Sequence, residues 1–176
     1  RNKMALDSKI QSVYIIADKK KTIDGKGKVY QRDVYSDYTK SEQGKLASSS
    51  ATNWYFFGVN EDADKALDLD IQNYCFRIVK KMNSQSAIMI INISDEFIRS
   101  TMQSLNPGKG GYVALITDQD GKEFFSDGNV STDKSLIYGT SFYKKAFDGK
   151  ADSGNQMVTF QGKEYMFVYS KLSAGD

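Results

Sequence analysis

The chain has 176 residues, 40% of them apolar and 26% charged, with a formal net charge of +2. That composition suits one generous domain or two small ones and excludes a disordered chain, and a charge so small and dispersed gives no basis for nucleic-acid binding. There is no histidine, which removes the commonest general base, the usual zinc ligand and every serine or cysteine triad built on imidazole.

In chain order, Met4, Leu6 and Ile10 are apolar at helix-compatible spacing among charged neighbours, so residues 1–10 read as the end of a longer N-terminal helix. A strand over Val13 to Ala17 follows, then Asp18, a solvated turn at Lys19-Lys20-Lys21 and a short return strand at Thr22-Ile23. Tyr30, Tyr35 and Tyr38 alternate with charges, the pattern of rings that cover a core edge with the hydroxyl in water. Ser41 to Ser50 suits a short helix. The run Trp54-Tyr55-Phe56-Phe57 is the densest aromatic cluster, and large aromatics so concentrated either plug a core or line a pocket. Asn60 to Leu67 reads as a helix with Ala63, Ala66 and Leu67 inward.

Asp68 and Asp70 flank the entry to a strand from Tyr74 to Val79. Strict alternation puts Tyr74, Phe76 and Ile78 on one side and Cys75, Arg77 and Val79 on the other, so Arg77 turns away if Tyr74 faces a pocket. After a polar turn at Asn83-Ser84-Gln85 comes a strand from Ala87 to Ile93. Its run Ile88-Met89-Ile90-Ile91 is apolar on both faces and belongs at the centre of a sheet. Asn92 interrupts that run, and a polar side chain there must be hydrogen-bonded to protein or to something bound.

Ser94-Asp95 caps a helix with Ile98, Met102 and Leu105 on one face, ended by Asn106-Pro107-Gly108; residues 95–110 form the connection between two modules. The second module opens with a β-hairpin from Tyr112 to Ser126, its turn at Asp118-Gln119-Asp120-Gly121. It repeats the order of the first hairpin, apolar run, Asp at the bend and short return strand, which argues for two related modules in tandem. A loop through Asn129 and Thr132, a helix capped by Thr140 and stopped by Gly149, and a hairpin from Met157 to Tyr169 turning at Gln161-Gly162 complete the chain. Both ends read as cut from something larger.

Little chemistry is suggested elsewhere. Cys75 is the only cysteine and reads as a buried thiol. No apolar run approaches the ~20 residues of a membrane-spanning helix. The carboxylate pairs Asp18/Asp24 and Asp118/Asp120 are turn residues and lack the ligand spacing of a calcium loop. Gly108, Gly110 and Gly111 precede a strand rather than open a helix, the wrong context for phosphate. The sequons at Asn92 and Asn129 are frequent chance matches. No cofactor is expected, and a catalytic role for this segment is the least favoured class.

Taken in order, the chain resembles the double Cache family, the extracytoplasmic PAS-like sensing regions of bacterial chemoreceptors, sensor histidine kinases and diguanylate cyclases. The resemblance is carried by Trp54-Tyr55, by Ile88 to Ser94 leading into Asp95-Glu96-Phe97-Ile98, by Gly111 to Asp118 with Asp120-Gly121-Lys122, and by Tyr143 to Gly149. It implies an α+β fold of two tandem PAS-like modules, each an antiparallel sheet with flanking helices: a membrane-distal one over 11–94 and a membrane-proximal one over 111–176, truncated at its C-terminus. It also implies a parent anchored in the bacterial cell membrane with this region outside, homodimeric, and signalling through chemotaxis, a kinase or a cyclase.

In amino-acid-binding members of that family, an Arg two residues before the Trp-Tyr pair grips the carboxylate and an Asp late in the last central strand grips the amine. Here those positions are Thr52 and Asn92, so a free amino acid held in that way is not expected. The remaining candidate set is Trp54, Tyr55, Asp70, Tyr74, Arg77 and Asn92, able to cup a small polar or partly aromatic molecule by stacking and neutral hydrogen bonds, with Arg77 able to pair a carboxylate. The alternative is a degenerate module that binds no small ligand, or binds a protein, and serves dimer geometry.

Overall fold

The computed structural model describes residues 7–18, 21–25, 27–28, 30–50, 52–69, 73–82, 86–105, 107–126, 130–131 and 136–172, without the side chains of residues 21, 130 and 131. The protein is α+β. By its contacts the chain divides into Arg1–Ser131 and Thr132–Asp176.

The first unit is built on a five-stranded antiparallel sheet in the order β2-β1-β5-β4-β3. Its strands are β1 (Ile10–Ala17), β2 (Lys21–Asp24), β3 (Trp54–Gly58), β4 (Tyr74–Met82) and β5 (Ala87–Ser94). The doubly apolar Ile88-Met89-Ile90-Ile91 run does sit at the centre, between β1 and β4. Alternation sends Ser12, Tyr14, Ile16, Ile88, Ile90 and Val79 to one face, where they are buried, and leaves Val13, Ile15, Met89 and Ile91 half-buried on the other.

Three short helices lie between β2 and β4 in the chain: α1 (Val34–Lys40), α2 (Glu42–Ser49) and α3 (Glu61–Leu67). Each begins on a side chain that accepts a free backbone N–H: Asp33 from Ser36, Ser41 from Gly44, and Asn60 from Ala63. They cover the buried face with Val34, Tyr38, Ala47, Ala63, Ala66 and Leu67, which form one core with Tyr14, Ile16, Phe57, Val79, Ile88 and Ile90. The 30–38 interval therefore holds a helix, and Tyr38 is fully buried rather than edge-covering.

Ile10 belongs to β1, not to a helix; Met4 and Leu6, and with them most of the expected helix end, lie outside the described residues, as does the turn at residues 83–85. Ser94 caps α4 (Asp95–Ser104) by accepting from the Phe97 N–H. Ile98 and Met102 of α4 pack with Cys75, Phe76, Ile93, Val113, Leu115 and Phe124. Leu105, expected on the same face, is 63% exposed because it is the C-cap, where the helix has already ended.

The hairpin from Tyr112 to Ser126 forms β6 (Ala114–Ile116) and β7 (Glu123–Phe125), with Gly121 at φ 62 in the turn, and β8 (Val130–Ser131) joins them in a three-stranded sheet. Both α4 and this hairpin fall within the first unit, so the span 111–176 anticipated as one module is shared between the two units.

The second unit contains α5 (Ser141–Asp148), capped by Thr140, and the hairpin of β9 (Ser153–Phe160) and β10 (Lys163–Ser170). Gln161 and Gly162 turn at φ 50 and 75, the two positive angles a two-residue hairpin loop uses to match strand twist. Phe142 of α5 packs edge-on against Phe160 and lies 4.9 Å, centroid to centroid, from Phe167.

Candidate functional site

Arg77 is the centre of the most unusual part of the molecule. Its side chain is 0% exposed beneath the helical cover, and the guanidinium donates in three directions: Nε to Asn92 Oδ1 (2.8 Å), one terminal nitrogen to Gln43 Oε1 (2.9 Å) and the other to Asp64 Oδ1 (2.6 Å). Asn92 passes the chain on by donating from Nδ2 to Ser12 Oγ (2.9 Å). Gln43 donates from Nε2 to the carbonyl of Gly58 (3.0 Å). Asp64 Oδ1 also accepts from the Tyr74 hydroxyl (2.6 Å), and the guanidinium lies 4.9 Å over the Tyr74 ring.

Each partner arrives for a local reason. Asn92, Ser12 and Arg77 share a sheet face because Asn92 pairs with both Ser12 and Arg77 across the ladders. Asp64 sits four residues after the Asn60 cap and one after Ala63, on the stripe of α3 that faces the sheet. Gln43, in the first turn of α2, lies four residues before the buried Ala47 and is itself buried. The α1 to α2 corner is tight: a Cβ on Gly44 would fall 1.9 Å from the Tyr38 carbonyl oxygen, so only glycine lets α2 approach this closely.

Tyr74 and Arg77 meet because β4 is irregular. The register with β5 shifts between Tyr74 and Phe76, so a bulge at Cys75 resets the alternation and returns both side chains to one face. The expectation that Arg77 must turn away from Tyr74 fails for that reason. Neighbouring Cys75 is buried in the other core, and burial pushes its thiol up to about 12.

The electrostatics follow from depth. Burial works against the Arg77 charge, but Tyr74, Tyr38 and Asp64 outweigh it and the net shift is upward, so the group is a permanent cation. Burial pushes the Tyr38 hydroxyl up to about 12. That hydroxyl is fully buried beside Arg77, whose charge works against the upward push of burial. Burial raises Tyr74 as well. No cluster of metal-ligating side chains occurs among the described residues.

Of the candidate set, Tyr74, Arg77 and Asn92 come together in this cluster. Tyr55 reaches its margin, stacked on Phe57 with its hydroxyl 3.1 Å from Ser49 Oγ. Trp54 does not join them. It pairs with Lys80 on the ladder, projects from the opposite face to Phe57, and carries the Lys80 ammonium 4.4 Å over its ring. Asp70 lies outside the described residues. Ser12, Gln43, Tyr38 and Asp64 were not anticipated; the helical stripe Asn60, Ala63, Asp64, Leu67 carried the signal for Asp64.

Neither a protein-family model, nor a curated protein, nor a solved structure matches the chain significantly.

Proposed function

We propose that the chain is the extracytoplasmic sensing region of a bacterial transmembrane signalling receptor, built from tandem PAS-like modules of the double Cache kind, and that the cluster around Arg77 is where a small polar molecule is gripped. The observation that carries this reading is the fully buried guanidinium held by side chains of α2, α3 and β5, with the buried Tyr38 hydroxyl close by. A buried ion pair is often no more stable than apolar residues of the same volume, so a core selected for stability alone has no need of it. A molecule with both acceptor and donor groups would exchange hydrogen bonds with Arg77, Asp64 and Tyr38 as the helical cover parts from the sheet, shifting an equilibrium between closed and open forms. The sensing region itself is read as non-catalytic, the receptor as homodimeric.

A thermal-shift screen over amino acids, amines, carboxylates, nucleobases and sugars tests this. A ligand at a hundred times its Kd adds about 2.7 kcal/mol to the folded state, a shift of several degrees, and Asn92→Ala should abolish it. A protein that responds to nothing in the screen at millimolar concentration rejects the reading. The second reading, a module that binds no small molecule and serves dimer geometry, is favoured by the closure of the Arg77 donors on protein acceptors. It predicts an unresponsive protein that sediments as a dimer.

A further inference from the structure

The Arg77 cluster does not end at the helical cover. Gln43 takes a hydrogen bond from Arg77 and gives one to the carbonyl of Gly58 (3.0 Å). The other side of that residue continues the line, since the Gly58 N–H donates to Asp120 Oδ2 (2.8 Å) in the turn between β6 and β7. Asp120 Oδ1 then accepts from the Thr117 hydroxyl (2.5 Å). Beside it, the Phe56 N–H donates to Gln119 Oε1 (2.8 Å), so the turn supplies side-chain acceptors to the outer edge of β3 where another strand would supply carbonyls.

Two further features single out Gly58. It ends β3, paired to Phe76 on its inner side, so the outward amide is the one the turn captures. A Cβ at this position would fall 2.3 Å from Cβ and 2.5 Å from Cγ of Lys122, the stub of that side chain and not its flexible end. Only glycine permits the turn to close on the strand.

We infer that Gln43, the Gly58 backbone and Asp120 form a relay that couples the state of the buried Arg77 cluster to the β6–β7 hairpin, with the turn either latched on β3 or released. The Gly58 carbonyl and N–H belong to neighbouring peptide units joined at its Cα, so the coupling is positional: when the carbonyl moves with Gln43, the N–H that Asp120 holds is displaced with it. Opening of the cover would carry Gln43 away from Gly58 and loosen the latch. The purpose of the relay rests on the sensing reading, whereas its existence is testable with no ligand present, so the two can fail separately.

The test is amide and side-chain NMR on the whole chain with Gly58→Ala, Asp120→Ala and Gln119→Ala. The relay requires that Gly58→Ala and Asp120→Ala each move the Gln43 Nε2 and Arg77 Nε resonances, and that in Asp120→Ala the Gly58 amide exchanges about tenfold faster. Gln119→Ala is the internal control: it frees the Phe56 amide on the same edge and should leave the Gln43 and Arg77 signals in place. A complementary cycle compares Asp120→Ala in wild type and in Gln43→Met. Its effect on the unfolding equilibrium constant should be about threefold smaller or less in the second background. Unmoved Arg77 and Gln43 signals in Asp120→Ala, or an equal effect in both backgrounds, overturns the relay. Should Gln43→Met not fold, the resonances of Asp120→Ala decide alone.

Discussion

Removing Asp64 is the most informative perturbation. Its carboxylate lies 2.6 Å from Arg77, with side-chain exposures of 3% and 0%, and the same oxygen accepts from the Tyr74 hydroxyl. Asp64→Ala therefore strands a buried cation and a buried hydroxyl at once. Breaking a buried pair by deleting one partner costs about 3–5 kcal/mol, a large share of the roughly 5–15 kcal/mol that holds a domain folded. With a urea m-value of about 2 kcal/mol per molar, the midpoint falls by about 2 M. Arg77→Met leaves Asn92 Oδ1 and Gln43 Oε1 short of a donor and costs a similar amount. The double variant Asp64→Ala/Arg77→Met removes both charges, and its cost should fall below the sum of the singles by about 1–3 kcal/mol. Equilibrium urea unfolding, followed by Trp54 fluorescence and far-UV circular dichroism, measures all three. A single-variant cost under about 1 kcal/mol, or singles that simply add, would falsify the account of a desolvated, mutually dependent pair.

Four further outcomes can be measured. Asn92→Ala leaves Arg77 Nε and Ser12 Oγ without their partner and should destabilise by about 1–3 kcal/mol, while Trp54→Ala, on the other face, should leave any ligand-induced thermal shift intact; loss of that shift in Trp54→Ala would place the ligand elsewhere. The folded chain holds the Tyr38 proton to about 12, whereas an unfolded tyrosine releases it near 10. That stabilisation is complete below about pH 10 and is lost as pH rises toward 12. Phenolate absorbance and circular dichroism recorded together should then show the buried tyrosines ionising only as the fold is lost; full ionisation with native dichroism would contradict the burial. Gln161→Asn places a residue tolerant of positive φ at φ 50 and should slow amide exchange across β9 and β10 by about twofold to fivefold.

Local pattern decided much of this protein. Ser94 and Thr140 were legible as helix caps because a short polar side chain ahead of an apolar stripe has one favourable use. The hairpins at 112–126 and 157–169 were legible because Asp-Gly and Gln-Gly separate β-rich runs, and the central place of β5 followed from its apolar faces. Asn92 had to be paired, and the residues said so. What they could not say was with whom. Arg77 joins Asn92 through a register set by two separate ladders, and joins Tyr74 through a bulge at Cys75 that no period-two rule anticipates. Trp54 and Asn92 look like neighbours in a list of candidates, yet the pleat puts them on opposite sides of one sheet. The Gly58 to Asp120 contact spans 62 positions of chain, and a glycine ending a strand carries no mark of it. Sequence alone settled which strand had to be central and which turns had to form, since those depend on near neighbours; which polar groups are buried, and which of them meet, was decided by strand register and helix approach, quantities that exist only once the chain has closed on itself.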